Sequence, residues 1–332
     1  MLEKPHIQDA AIKSSLQSQY GLLAVKLEHL PLGADKNTAV YCMLAEDERG
    51  LYLKLRLGDF NKATVIVPKL LRDNGVKQVI APIPTNNQQL WANEGSYNLT
   101  LYPYIEGKNG FETELTDNQW IALGAVLKEL HTFRAPQALK EGIPQEEFSA
   151  ESREIVKGFL DRIGKDVFKE PTAAKLADFM KSHKAVIEEI TQKAEELAKL
   201  LRGQKLDFVL CHSDVHAGNV LIDVTGKMYV VDWDTLQFAP KERDLMFIGG
   251  GIGGVWDKPE EAALFYQGYG PTDINPKALL YYRCERIVAD IADVCKQIFL
   301  TDEGGKNRDA LLEGFVNQFL PNNVVEIAMR DY

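Results

Sequence analysis

The sequence predicts an α+β chain in two lobes, a small strand-rich one followed by a larger helical one. Three observations lead there. The 332 residues are 45% hydrophobic, 26% charged and 9% aromatic, ordinary globular proportions in a chain long enough for about two domains. The first hundred residues place short apolar runs between turn residues, around one helical stretch. Beyond residue 107, apolar residues recur mostly at helical spacing. The expected organisation is a first lobe over 1–100, a connecting segment over 101–107 and a second lobe over 108–332.

Val25 to Leu30 and Ala39 to Leu44 read as strands, and Leu51 to Leu57 alternates apolar and polar residues as a half-buried strand does. Asp59 or Asn61 can cap a helix running to about Asp73 and ended by Asn74-Gly75. Pro68 lies within that stretch, where it either kinks the helix or marks a late first turn. Leu99 to Ile105 reads as an edge strand. The breaker cluster Glu106 to Gly110 follows. Trp120, Leu123, Leu127 and Leu130 form a helix stripe that Thr116-Asp117 can cap, and Ala185 to Leu201 is a second strong helix. Phe208 to Cys211 is a short apolar strand. Val220-Leu221-Ile222 and Met228 to Val231 flank Thr225-Gly226 as a hairpin. Helices return from Pro259 onward.

Composition excludes several classes. Net charge is −10, from 38 basic and 48 acidic residues, which disfavours a phosphate-backbone partner such as nucleic acid. The first 106 residues are electrically balanced, so the second lobe carries the whole excess. An acidic lobe concentrates small cations, although solvated surface charge is its commoner meaning. No apolar run approaches the roughly 18–20 residues of a membrane helix, and Met1 to His6 is unlike a secretory leader. The four cysteines are scattered. A cytoplasmic protein with reduced thiols and no obligatory protein partner is expected.

The chemistry concentrates in His212-Ser213-Asp214-Val215-His216-Ala217-Gly218-Asn219, the hairpin after it, and Asp232-Trp233-Asp234. Phosphoryl transfer needs a carboxylate to orient the attacking hydroxyl, oxygen ligands for magnesium and a cation on the nucleotide phosphates. Protein kinases supply these with H-R-D-x-x-x-x-N followed by D-F-G. His212-x-Asp214-x-x-x-x-Asn219 has the same spacing, with Asp232 at the end of the hairpin. Shuffled at this composition, the whole pattern would arise about 0.001 times. A Walker A sequence is absent.

On these residues the chain resembles the aminoglycoside phosphotransferase and choline kinase group. The resemblance extends to the run from Ala239 to Gly251 and to Pro321 to Ala328, and covers nearly the whole chain. It implies the bilobal protein-kinase-like fold, with a nucleotide-binding first lobe, a hinge over 101–107, ATP and Mg2+ as cofactors, and a cationic aminocyclitol as the small-molecule acceptor. Spectinomycin is the first antibiotic expected to be phosphorylated, with resistance as the result.

Roles carry over residue by residue. Asp214 resembles the catalytic carboxylate, and Asn219 and Asp232 resemble the magnesium ligands. Lys54 resembles the lysine on the nucleotide phosphates. Leu101, Tyr102 and Tyr104 fall in the segment that resembles the adenine-reading hinge. Gly33, Asp35 and Asn37 fall in the loop that resembles the phosphate cover. His212 is expected to brace the catalytic loop or touch substrate. Asp234 either meets magnesium through water or orients its loop. Arg243-Asp244 reads as a buried pair, Gly249 to Gly254 as a flexible substrate-side loop, and His131 as packing or capping. Trp256, Tyr266, Tyr269, Glu285 and Asp290 are candidates for an aromatic and acidic wall near a cationic substrate, with core packing as the alternative for each.

One departure stands out. Kinases pair the strand lysine with a glutamate on the next helix, and no Glu lies between Lys54 and Glu94. Either Asp59 takes that role or Lys54 is held differently. Three competing readings follow from the residues. One is a kinase of another amino alcohol or sugar, and one is a nucleotide-binding module without catalysis. The third is a metallohydrolase with zinc on His212, Asp214 and His216, against which the oxygen donors Asn219 and Asp232 argue.

Overall fold

The computed structural model describes residues 5–30, 37–301 and 306–330. In chain order the elements are α1 (Asp9–Tyr20), β1 (Ala24–Leu30), β2 (Thr38–Ala45), β3 (Gly50–Leu57), α2 (Ala63–Asp73), β4 (Ala92–Glu94), β5 (Tyr97–Pro103), β6 (Gly107–Asn109), α3 (Asp117–Thr132), α4 (Gln137–Lys140) and α5 (Glu151–Ile163). Then come α6 (Pro171–Ser182), α7 (Lys184–Arg202), β7 (Val209–Cys211), β8 (Val220–Asp223), β9 (Met228–Val230), β10 (Gln237–Ala239), α8 (Glu242–Leu245), α9 (Pro259–Tyr269), α10 (Pro276–Phe299), α11 (Lys306–Asn317) and α12 (Val324–Met329). The mixed α+β prediction holds. Two compact units form. One comprises Met1–Leu115, Phe133–Pro144 and Gly218–Leu236, and the other comprises Thr116–Thr132, Gln145–Ala217 and Gln237–Tyr332.

The first unit is built on an antiparallel sheet in the order β1-β2-β3-β5-β4. Leu51, Leu53 and Leu55 of β3 point into the core, so Lys54 and Arg56 share the opposite face. The inner face packs on Ile12, Leu16 and Tyr20 of α1. That helix was not anticipated. Its apolar residues are spaced four apart, but serines and glutamines between them dilute the signal. Gly21 closes it in left-handed backbone (φ +68°), where its N–H reaches the Gln17 carbonyl at 3.0 Å.

Two further corrections belong to this unit. β5 is not an edge strand along its whole length, because β3 pairs on one side and β4 covers its first half on the other. The breaker cluster contains a strand, β6, which pairs with β8 in a second sheet of order β6-β8-β9. Gly107 is required there, since a Cβ would fall on the Ile222 carbonyl oxygen. Pro68 lies inside α2 and not in a late first turn. The helix opens at Ala63, whose N–H donates to Asn61 Oδ1 at 3.0 Å.

The second unit is helical around a short antiparallel pair, β7 with β10. α3 crosses α9 closely enough that a Cβ on Gly124 would strike the Phe265 carbonyl oxygen, and one on Gly268 that of Ile121. The Thr116 N–H donates to Gln119 Oε1 at 2.8 Å, a side chain reaching back to close the start of α3. The long α10 buries Ile287, Val288 and Ile291 against α5 and α7, which contribute Val156, Leu160, Ile187 and Ile190. Gly251 passes so near Ile327 of α12 that a side chain would collide with it. The Arg283 guanidinium donates to the Ile248 carbonyl at 2.8 Å, which anchors one end of the glycine-rich segment that was expected to be flexible.

Candidate active site

In the first unit the β8–β9 hairpin sets the geometry. Asp223 shapes its turn by accepting from the N–H groups of Thr225 (2.8 Å) and Lys227 (2.9 Å). At the other end Val220 pairs with Val230, and the Val231 N–H donates to the Asn219 carbonyl at 3.0 Å. Asn219 and Asp232 therefore leave the hairpin at the same end. Asn219 is almost buried, whereas half of the Asp232 side-chain surface is exposed. Asp232 adopts left-handed backbone (φ +61°), which aspartate tolerates better than most residues. The buried Trp233 anchors the turn, its indole N–H donating to the Val230 carbonyl at 3.2 Å. The Asn219 and Asp232 side chains offer an amide oxygen and a carboxylate, hard donors that suit magnesium.

Lys54 reaches this turn from β3. Its ammonium lies 3.1 Å from Asp232 Oδ1 and 2.5 Å from Asp234 Oδ2. Arg56 donates to Asp234 Oδ1 and, at 2.9 Å, to Thr64 Oγ1 on α2. The strand lysine is thus held by the loop carboxylates, and Asp59 is exposed.

The other nucleotide candidates are distributed along the sheet. Leu101 is fully buried, and its carbonyl accepts from the Ile83 N–H at 2.7 Å. The Tyr104 N–H donates to the Gly50 carbonyl at 3.1 Å. Tyr102 sits beside Tyr52, ring centroids 6.5 Å apart, and burial pushes its phenol well above the usual range. Asn37 accepts from the Leu57 N–H at 2.8 Å through its carbonyl. Gly33 and Asp35 lie outside the described residues.

In the second unit the loop after β7 is shaped from beneath by Asp244, which is fully buried. Its two carboxylate oxygens accept from the N–H groups of His212 (2.9 Å) and Ser213 (2.6 Å). His131 Nε2 lies 3.0 Å from the same carboxylate, and His131 Nδ1 lies 2.7 Å from the Tyr269 hydroxyl. Burial raises the Asp244 carboxyl, but His131, His212 and the Ser213 amide outweigh it and leave it below the usual carboxylate range. Asp244 therefore serves the loop and His131 instead of forming the expected pair with Arg243, which lies over the Tyr282 ring at 5.6 Å.

Ser213 takes left-handed backbone (φ +72°), and the Asp214 N–H donates to His212 Nδ1 at 3.3 Å. His212 is completely buried and turned into the loop. Asp214 meets Arg286 Nη1 at 2.7 Å, and His216 Nε2 lies 3.6 Å away. Burial pushes the Asp214 carboxyl up. The neighbouring His216 and Arg286 outweigh it and hold the group well below the usual carboxylate range.

The acceptor-side candidates separate. Asp290 takes Arg286 Nε at 3.0 Å, and Glu285 pairs with the buried Arg153. Burial raises both carboxyls above their ordinary values. Both line a pocket of about 410 Å³ with Arg286, Glu146 and Asp293. Tyr266 lines a different pocket, with Gly270 and Pro271. Trp256 belongs to the core, edge-on to Trp120 at 5.0 Å and buried. Tyr269 is buried on His131. Sequence reasoning missed Arg56, Thr64 and Arg286, none of which stands in a recognisable spacing motif.

The sheet and hairpin of the first unit and the braced loop of the second are those of a protein-kinase-like phosphotransferase. The chain belongs to the phosphotransferase enzyme family, whose model matches residues 62–280. It is 36% identical to spectinomycin phosphotransferase solved with ADP and spectinomycin, with a TM-score of 0.92 over 98% of this chain and 99% of that one. The AMP complex of spectinomycin phosphotransferase gives a TM-score of 0.87 at 36% identity, over 97% of this chain and 98% of that one. Protein StrN of Streptomyces griseus is 26% identical over 261 residues, 77% of this chain and 75% of that protein. An amicoumacin kinase shares the fold at 15% identity and a TM-score of 0.62, over 94% of this chain and 93% of that one.

Proposed function

We propose that the enzyme transfers the γ-phosphoryl group of ATP to a hydroxyl of an aminocyclitol antibiotic, spectinomycin first, and so confers resistance. The observation that carries this reading is the 36% identity, over nearly the whole chain, to a spectinomycin phosphotransferase solved with ADP and spectinomycin. The pocket beside Arg286 adds support, because Glu146, Glu285, Asp290 and Asp293 suit a substrate bearing amines.

In this reading Asp214 orients the acceptor hydroxyl and takes its proton as the oxygen bonds to the γ-phosphorus and ADP departs. Such help is worth about 10²–10⁴ in rate. Asn219 and Asp232 hold Mg2+, which when bound neutralises charge on the phosphates. Lys54 contacts the phosphates, the segment with Leu101, Tyr102 and Tyr104 reads adenine, and the loop with Gly33, Asp35 and Asn37 covers the nucleotide. Residues 1–100 then serve the nucleotide, 101–107 act as hinge, and 108–332 supply the acceptor site. A cytoplasmic location belongs to the same reading. Among the described residues no helix is long and apolar enough to cross a membrane.

The test is ADP release measured across spectinomycin, other aminocyclitols, aminoglycosides and choline-like alcohols, paired with spectinomycin resistance in cells expressing the protein. The highest kcat/KM is expected with spectinomycin. A higher value with a choline-like alcohol, and no resistance, would overturn the acceptor assignment.

A further inference from the structure

Lys54 lacks the helix acid that its role calls for. The carboxylate on α2 is Asp73, at the far end of the helix, and Lys69 holds both of its oxygens at 2.6 Å. We propose that Asp234 replaces the helix glutamate as the standing counter-ion of Lys54, and that Arg56 is the positioning residue that fixes Asp234 and ties it to α2. The proposal rests on the phosphotransferase reading above and assigns a task to two residues that reading leaves unused.

Geometry separates Asp234 from Asp232. Asp234 divides its oxygens, Oδ2 to Lys54 at 2.5 Å and Oδ1 to Arg56. Asp232 gives Lys54 one oxygen, at 3.1 Å, and is the more exposed of the two, at 50% against 32%. Lys54 and Arg56 are only 12% and 14% exposed, two residues apart on the same face of β3.

Arg56 is restrained on three sides. One nitrogen meets Asp234, another meets Thr64 Oγ1 at 2.9 Å, and the guanidinium lies over the Phe60 ring at 5.4 Å. The Thr64 hydroxyl itself donates to the Asn61 carbonyl at 2.8 Å, so the tie ends on the first turn of α2. A planar fork suits this two-sided duty, and a lysine cannot reproduce it. When Mg2+ and nucleotide bind, Asp232 can pass to the metal and Lys54 can turn to the phosphates while Asp234 remains in place.

The experiment compares Asp234→Asn, Arg56→Gln, the pair together, Arg56→Lys and Thr64→Val. ADP affinity is read by calorimetry, and kcat, the acceptor KM and the half-saturating Mg2+ concentration by ADP release. Both charge-removing variants should lower kcat about tenfold or more, with acceptor KM and Mg2+ requirement unchanged. Asp234→Asn should bind ADP at least as tightly as the parent, since a negative charge near the phosphates is gone. The pair should be no worse than the poorer single variant, because the two residues act as one unit. Thr64→Val and Arg56→Lys should fall between parent and Arg56→Gln, which also guards against a charge-removing variant that does not fold. Additive losses, an unchanged kcat, or a Mg2+ requirement that shifts with Asp234→Asn would overturn the proposal. Turnover with some other acceptor would overturn only the acceptor assignment and leave this comparison intact. A parent protein that binds no ADP would overturn both.

Discussion

The two loop carboxylates with the clearest chemistry are held in opposite ways. Asp214 stands on a backbone clamped from inside the protein, where buried Asp244 accepts from two consecutive loop amides and from His131. Asp232 stands at the end of a hairpin, half exposed, and is engaged by the ammonium of a residue 178 positions earlier. The first arrangement is made wholly of the protein's own buried groups. The second uses the Lys54 ammonium, which under the proposed function the nucleotide would claim. Under the proposed function the difference has a meaning: the group needed in one place at the moment of reaction is set by buried backbone contacts, and the group that must exchange partners is left half exposed beside a cation.

The largest expected effect tests whether these duties are separate. Asp214→Ala should lower turnover by about 10²–10⁴, while calorimetry should find ADP affinity unchanged. Asp232→Ala should do the reverse in character, weakening nucleotide binding and flattening the magnesium titration. If Asp214→Ala weakened ADP binding as much as Asp232→Ala does, the contrast between the clusters would have no functional meaning.

The next effect is on stability. Asp244→Ala removes a carboxylate from a site with no exposure and strands the amides of His212 and Ser213 together with His131. Breaking a buried charged pair typically costs about 3–5 kcal/mol. Urea unfolding should show a loss of that order, much larger than for an exposed acid such as Asp59. A loss under about 1 kcal/mol, within the range of ordinary surface changes, would mean that the loop is held by other contacts.

The comparison also explains which parts of the molecule were legible in its sequence. The hairpin between Asn219 and Asp232 was readable because apolar runs and Thr225-Gly226 encode it locally, and α7 was readable from its long apolar stripe. The spacing of His212, Asp214 and Asn219 was readable because one loop carries all three. The partners of these residues were not. Asp244 lies 31 and 32 positions from the amides it binds, Arg286 lies 72 from Asp214, and Asp234 lies 180 from Lys54. No local pattern encodes contacts that the fold alone brings together. α1 was missed because Ile12, Leu16 and Tyr20 stand among polar residues. Trp256 was left between a substrate wall and the core because an aromatic residue reads alike in both, and packing against Trp120 decides for the core.

The smallest expected effect sharpens the account of Asp214 itself. Under the proposed function Asp214 acts as the ionised carboxylate, so kcat/KM should fall on the acid side as that group takes up a proton. Burial alone would put this limb at raised pH, but His216 and Arg286 outweigh burial and hold the carboxyl well below the usual carboxylate range. The acid limb of the parent enzyme should therefore lie below that range. Arg286→Gln removes the guanidinium at 2.7 Å and leaves His216 in place. The carboxyl should then rise, and the limb should move to higher pH. The sign for stability is the same. A carboxyl depressed on folding contributes stability that is present above its unfolded pKa and is lost as pH falls through its folded value. The variant should therefore lose part of that contribution at neutral pH and begin to unfold at a higher pH on acidification. On the neutral plateau kcat should change little, because Asp214 is ionised in both proteins and the loop beneath it still rests on Asp244. An acid limb that does not move would show that Arg286 holds Asp214 in position without governing its proton. Asp214 would then owe its ionisation to His216 instead of to α10.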